Sequence, residues 1–249
     1  MKRKVVVVTT AYGYQNVRDM GGQQALLPII AAAGADGVEI RRELFNEEEL
    51  NSLTTLANEI RTHALTAFYS VPESLFMDDG SLNPHLDQHL AEANQLNAQL
   101  IKYALGNYQP GFDSVALRKK LAAQSVQVAV ENDQTEHGTL AAFDAFFQDC
   151  GENLIGSGMI FDAGNWLWVE ESPLPAAKAL HQFVSYIHVK AAVPHNDSWR
   201  AIPLDEADNL WRETLALLPA EAPRAIEFPL EGADLVAVTR HYVDLLRAE

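Results

Sequence analysis

The chain has 249 residues, 48% of them hydrophobic, and 34 acidic against 18 basic side chains, for a formal charge of −16. Such a surface repels phosphate backbones and anionic lipid, which argues against nucleic acid and membrane as partners. A lone Cys150 excludes an internal disulfide and fits a reducing compartment, the apolar run of MKRKVVVVTT is too short for a signal-peptide core, and no stretch approaches the ~20 apolar residues of a membrane span.

Short β-rich runs alternate with amphipathic helical runs from one end to the other. Val5 to Thr10 reads as the first strand and Gln23 to Ala33 as the first helix, closed by Gly34. Gly37 to Arg41 is the second strand, with a helix from Glu47 to His63. Leu65 to Ser70 is the third, and a loop rich in Asp, Gly, Asn and Pro (Met77 to Pro84) leads to a helix through Asn97. Ile101 to Leu105 is the fourth, with a helix from Ser114 to Gln124. Strands five to eight lie in VQVAVEN, GMIFDAGN, SYIHVKA and RAIEFPL, separated by helices at Leu140 to Gln148, Pro175 to Phe183 and Asp205 to Leu217, and Val236 to Arg247 makes the last helix.

Eight β/α repeats without a linker predict an α/β chain forming a single (β/α)8 TIM barrel of parallel strands over residues 1–249, about the usual size of that fold. An open doubly wound sheet is the alternative, but VTTAYGYQN after the first strand carries one glycine and no dinucleotide-binding fingerprint. A soluble, cytoplasmic protein is expected.

The last four strands share a pattern of parity. In VQVAVEN, Val126, Val128 and Val130 face one way, suited to packing under helices, while Gln127, Ala129 and Glu131 face the crowded barrel interior. By the same alternation Asp162 follows Gly158 and Ile160, His188 lies between Tyr186 and Lys190, and Glu227 follows Ala225. Four successive strands therefore deliver Glu131, Asp162, His188 and Glu227 inward, a mixture of carboxylate oxygen and imidazole nitrogen suited to a divalent cation. The cation offsets the mutual repulsion of three converging carboxylates, and it polarises an oxygen of a bound sugar. Lys102 and Lys190, inward by parity, suit a substrate carboxylate, hydroxyl or developing oxyanion.

Glu131-Asn132, Asp162 with Asn165 three residues later, His188-Val189-Lys190 and Glu227, together with GVEIRRE and IKYALG earlier, resemble the xylose isomerase-like barrels, specifically the sugar phosphate isomerase/epimerase family. The resemblance covers essentially the whole chain. It implies one divalent metal ion, Mn2+ or Mg2+ foremost with Zn2+ or Co2+ as alternatives, held by Glu131, Asp162, His188 and Glu227, with the two glutamates as acid/base groups. The chain departs from the pattern at Asn165, where many relatives have histidine, at Ala191, where many have aspartate, and in the next loop, where Arg200 is the nearest match to a substrate-binding arginine.

Bland readings stand beside these. Glu131 or Glu227 could simply pair with an inward lysine, His188 could be a satisfied core histidine, and Glu39 could pair with Arg41 or Lys102 as barrel-top structure instead of touching substrate. Trp166 and Trp168 either wall the sugar pocket or cap the barrel; Glu136, His137, His181, His195 and His241 read as surface or helix residues. The substrate-binding set is Glu39, Lys102, Asn165, Trp166, Lys190 and Arg200. The expected activity is proton-transfer isomerisation or epimerisation of a sugar, keto-sugar or sugar acid. A dehydrating lyase of a polyhydroxy ketone and a non-catalytic sugar-binding barrel are the alternatives, and a homodimer is an open possibility. Phosphorylated substrates are disfavoured because Glu231 and Asp234 precede the last helix.

Overall fold

The computed structural model describes residues 3–150 and 157–249. Eight parallel strands close into a barrel in the order β1 (Val5–Val8), β2 (Gly37–Arg41), β3 (Thr66–Phe76), β4 (Leu100–Gly106), β5 (Gln127–Glu131), β6 (Ser157–Asp162), β7 (Val184–Val189) and β10 (Arg224–Ile226), which pairs back to β1. The expected parallel barrel is the fold found. Between the strands run α1 (Tyr14–Asp19), α2 (Leu27–Ala32), α3 (Glu47–Leu50), α4 (Leu53–Thr62), α5 (Leu86–Gln95), α6 (Ser114–Ala122), α7 (Leu140–Cys150), α8 (Pro173–Leu180) and α9 (Leu210–Leu215), and α10 (Leu235–Ala248) closes the chain. No described helix is long and apolar enough to cross a membrane.

Strand alternation divides the core in two. Val5, Val7, Val128, Val130 and Ile187 belong to the large apolar layer between strands and helices, whereas Val6, Val8, Phe68, Leu100, Ala129, Ile160, Tyr186 and Ala225 fill the barrel itself. Phe68 and Tyr186 stack across the interior with centroids 4.7 Å apart. These residues form an apolar floor, and the next inward positions on the same strands are Glu131, Asp162 and His188, with Glu227 directly after β10.

Besides the additional α1 and the division of the Glu47–His63 helix into α3 and α4, three local features differ from expectation. The third strand continues past Ser70 to Phe76 through a register shift between Ser70 and Ser74, beside Pro72, which cannot donate a ladder hydrogen bond. The segment after β7 is an antiparallel hairpin, β8 (Ala191–His195) and β9 (Ser198–Ile202), turning at Asn196 with φ 53°, a conformation asparagine tolerates. The long helix expected from Asp205 is split into a 3-10 turn at Leu204–Glu206 and the short α9.

Candidate metal centre

His188 stands at the middle of the barrel mouth and is fully buried. Its Nε2 lies 2.7 Å from Glu39 Oε2, an oxygen that also accepts the Tyr186 hydroxyl at 3.0 Å. An ionised carboxylate can only accept, so Nε2 carries the proton and Nδ1 faces the opening. Nδ1 is 2.6 Å from Glu131 Oε1 and 3.0 Å from Glu227 Oε2. One ring nitrogen cannot donate to both. Glu131 Oε1 is buried without a hydrogen-bond partner, its approach to Nδ1 being a close contact without hydrogen-bond alignment.

Asp162 is held more tightly. Its Oδ1 accepts from the backbone N–H groups of Gly164 (2.8 Å) and Asn165 (2.9 Å), and its Oδ2 accepts from Lys190 Nζ at 2.6 Å. Asn132 clamps the same strand end by donating to the Asp162 carbonyl and accepting from its N–H, at 3.0 and 2.9 Å. Gly164 is required by close approach, since a Cβ there would lie 2.8 Å from Lys190 Cγ. Lys190 Nζ also reaches Glu227 Oε2 at 2.8 Å, Lys102 pairs with Glu131 Oε2, and Arg41 donates to Glu227 Oε1 at 3.0 Å.

These contacts set the protonation states. Burial opposes charge on His188, but Glu39, Glu227 and Glu131 outweigh it and lift the imidazole well above its ordinary range. Burial likewise opposes ionisation of Glu131, which Lys102 and His188 nevertheless hold down to about 2; Glu227 is also held well below the usual carboxylate range, against its burial, by Lys190 and His188. Asp162 goes the other way, to about 7, because burial and the neighbouring Glu227 and Glu131 prevail over Lys190.

One ligand atom from each of Glu131, Asp162, His188 and Glu227 can be chosen so that all lie within 4.8 Å of one another. With an unpartnered carboxylate oxygen and an imidazole nitrogen facing two carboxylates, the residues fit a divalent cation, which would displace the Nδ1 proton and serve both carboxylates as the shared partner. Lys190 now holds part of that position with its ammonium.

No family model and no curated protein sequence matches the chain. Among solved structures it is similar to D-psicose 3-epimerase from Clostridium cellulolyticum H10 (14% identity, 100% of this chain and 99% of that one covered, TM-score 0.67). It is also similar to a xylose isomerase domain containing protein from Salmonella typhimurium LT2 (12%, 100% and 97%, 0.66) and to the probable 3-DHS dehydratase of petrobactin synthesis from Bacillus anthracis (13%, 98% and 98%, 0.65). With these proteins the chain shares the fold of a closed parallel (β/α)8 barrel.

In this barrel the expected ligands converge, and the expected substrate groups are distributed differently. Lys102 and Lys190 are buried against the carboxylates of Glu131 and Asp162. Asn165 donates to the Asn132 carbonyl and accepts from Lys190 and Gln134, so its amide is engaged within the protein. Glu39 lies behind His188 and orients it. Two expectations are corrected. Trp166 does not wall the pocket: it is fully buried against Phe161 and Phe143 in the layer outside the barrel. Arg200 is exposed, and alternation along β9 puts it on the opposite face from Trp199.

Trp199, Trp211 and Leu167 instead line a cavity of about 470 Å³ that reaches Lys190, and a second, of about 300 Å³, reaches Glu227 between the Thr10–Tyr14 segment, Ala201 and Phe228. Sequence reasoning missed Trp199 because it read the hairpin as a loop; Trp211 lies on α9, within the helix expected there. Arg41 was legible, since it shares the parity of Glu39. Asp234 caps α10 by accepting from Ala237 N–H at 3.0 Å, so this helix start is already occupied by a carboxylate.

Proposed function

We propose that the chain is a divalent-metal-dependent isomerase or epimerase that moves a proton between carbons of a sugar, keto-sugar or sugar acid. The observation that carries this reading is the pair Glu131 and Glu227, which approach the same nitrogen of His188 from strands on either side, with Asp162 completing the donor set. Asp162 and His188 hold the ion. When bound, it supplies the positive charge that acidifies the carbon next to a sugar carbonyl and stabilises the resulting oxyanion.

Glu131 and Glu227 are the proton-transfer groups. Both are kept ionised and so begin ready to accept a proton, but their depressed basicity makes them weak bases that depend on an acidified substrate carbon. Glu227, with a side chain 14% exposed against 6% for Glu131, adjoins the smaller cavity and suits the first abstraction; Glu131 returns the proton on the other side. Lys190, at the wall of the larger cavity, positions a substrate oxygen, while Trp199 and Trp211 offer apolar surface to the carbon face of a sugar. The solved neighbours' names, which include a 3-epimerase, agree with this class of substrate.

The test is incubation of the protein with Mn2+ and a panel of ketoses, aldoses and sugar acids in deuterated water, followed by NMR and product mass. Solvent deuterium appearing next to the carbonyl of one substrate, with product and substrate of equal mass, is the expected outcome. Product lighter by one water would make the protein a lyase, and an ion-loaded protein inert toward the panel would favour a binding barrel.

A further inference from the structure

We infer that Glu73, His85 and His89 form a second cation site, of zinc-like chemistry, on the rim of the barrel where the end of β3 meets the start of α5. His85 is the N-cap of α5 and His89 lies one turn later, a spacing that puts two imidazoles on one helix face. Their rings are 6.0 Å apart. Glu73 sits within the register shift of β3, and its two oxygens are divided between them: Oε2 is 3.3 Å from His85 Nδ1 and Oε1 is 3.5 Å from His89 Nε2. Donors held ~2.0–2.1 Å from one tetrahedral ion stand about 3.3 Å apart, the separation of Glu73 Oε2 and His85 Nδ1, and one donor atom from each of the three residues lies within 4.8 Å of the others.

The surroundings support ligation. Asn83 Nδ2 donates to Glu73 Oε2 at 3.0 Å, and the remaining nitrogen of His89 lies 3.0 Å from the Tyr103 hydroxyl, so carboxylate and imidazole are each oriented from behind. His89 is buried while the His85 side chain is 59% exposed, which leaves the solvent side open for a water as fourth ligand. Two imidazoles and one carboxylate favour Zn2+ or Co2+ over Mg2+ and Mn2+. None of the three residues belongs to the central set, and the ligation would tie the tail of β3 to α5 across the Met77–Pro84 loop.

The experiment is equilibrium dialysis of the metal-stripped full chain against Zn2+ and then Co2+, using wild type, His85→Ala, Glu73→Gln and His188→Gln. Wild type should bind two equivalents of Zn2+, His85→Ala one, and His188→Gln one with the intense visible spectrum of four-coordinate Co2+. His85→Ala and Glu73→Gln should each weaken the rim ion by more than the ~10–100-fold typical of losing an outer-shell partner. His85 is exposed, and circular dichroism checks that its variant folds. Two equivalents retained in His85→Ala, or none bound by a folded His188→Gln, would overturn the rim site. A single wild-type equivalent that His85→Ala removes would uphold it and count against the central site instead.

Discussion

The floor and the mouth of the barrel are built by the same strands and the same alternation, yet they obey opposite rules. At the floor, Val6, Val8, Phe68, Leu100 and Ile160 interdigitate and need no polar partner. At the mouth, Glu39, Glu131, Asp162 and Glu227 face Arg41, Lys102, Lys190 and His188 in a space where each charge needs another. The floor supplies stability through packing; the mouth adds buried charge whose desolvation offsets much of its attraction, as expected where function and not stability selects the residues.

The largest effect that separates the two belongs to Glu131→Gln and Glu227→Gln. Each should leave the apolar floor intact while lowering substrate proton exchange by ~10²–10⁴-fold, measured by NMR in deuterated water. Phe68→Ala should do the reverse. Deleting a buried ring stacked on Tyr186 should cost ~3–5 kcal/mol in denaturant unfolding, with the number of bound ions unchanged.

Lys190→Met sharpens the comparison from within the mouth. The ammonium now competes for Asp162 and Glu227, so its removal should tighten Mn2+ binding by tenfold or more, about 1.4 kcal/mol, in calorimetric titration. Weaker binding would mean that Lys190 supports the ion.

The smallest effect lies outside the barrel, at Glu92, which accepts from Arg42 and from the Tyr69 hydroxyl. Burial opposes its ionisation, but these hydrogen bonds hold its pKa below the ordinary 4.5. A depressed carboxylate contributes stability above its unfolded value that is lost as pH falls through the folded one. Glu92→Gln should therefore be less stable than wild type at pH 7, with the difference shrinking below pH 4.5 in urea unfolding.

What was legible in the sequence follows from the reach of each contact. Parity is local, so β2 was placed at Gly37–Arg41, and Glu131, Asp162, His188, Lys102 and Lys190 were placed inward from their own strands. The hydrogen bond of Glu39 to His188 spans 149 residues and that of Arg41 to Glu227 spans 186; barrel closure and side-chain length create them, and no short window contains them. Trp166 and Arg200 were misplaced because both lie beyond the ends of barrel strands, where the alternation no longer says which way a side chain points. The hairpin did leave a signal, in HND between AAVP and SWRAI, and Asn196 adopts the positive φ such a turn requires.

The central claim is that the mouth of the barrel holds one divalent ion on His188 Nδ1 and the carboxylates of Glu131, Asp162 and Glu227. It is tested most directly by titrating metal-stripped protein with Mn2+ under electron paramagnetic resonance, reading stoichiometry and imidazole nitrogen coupling in wild type and in an Asp162→Asn, His188→Gln double variant. One tightly bound Mn2+ per chain with one coupled imidazole, both lost in the double variant, is the expected result. Wild type that binds no Mn2+, or a double variant that binds it unchanged, would contradict the account.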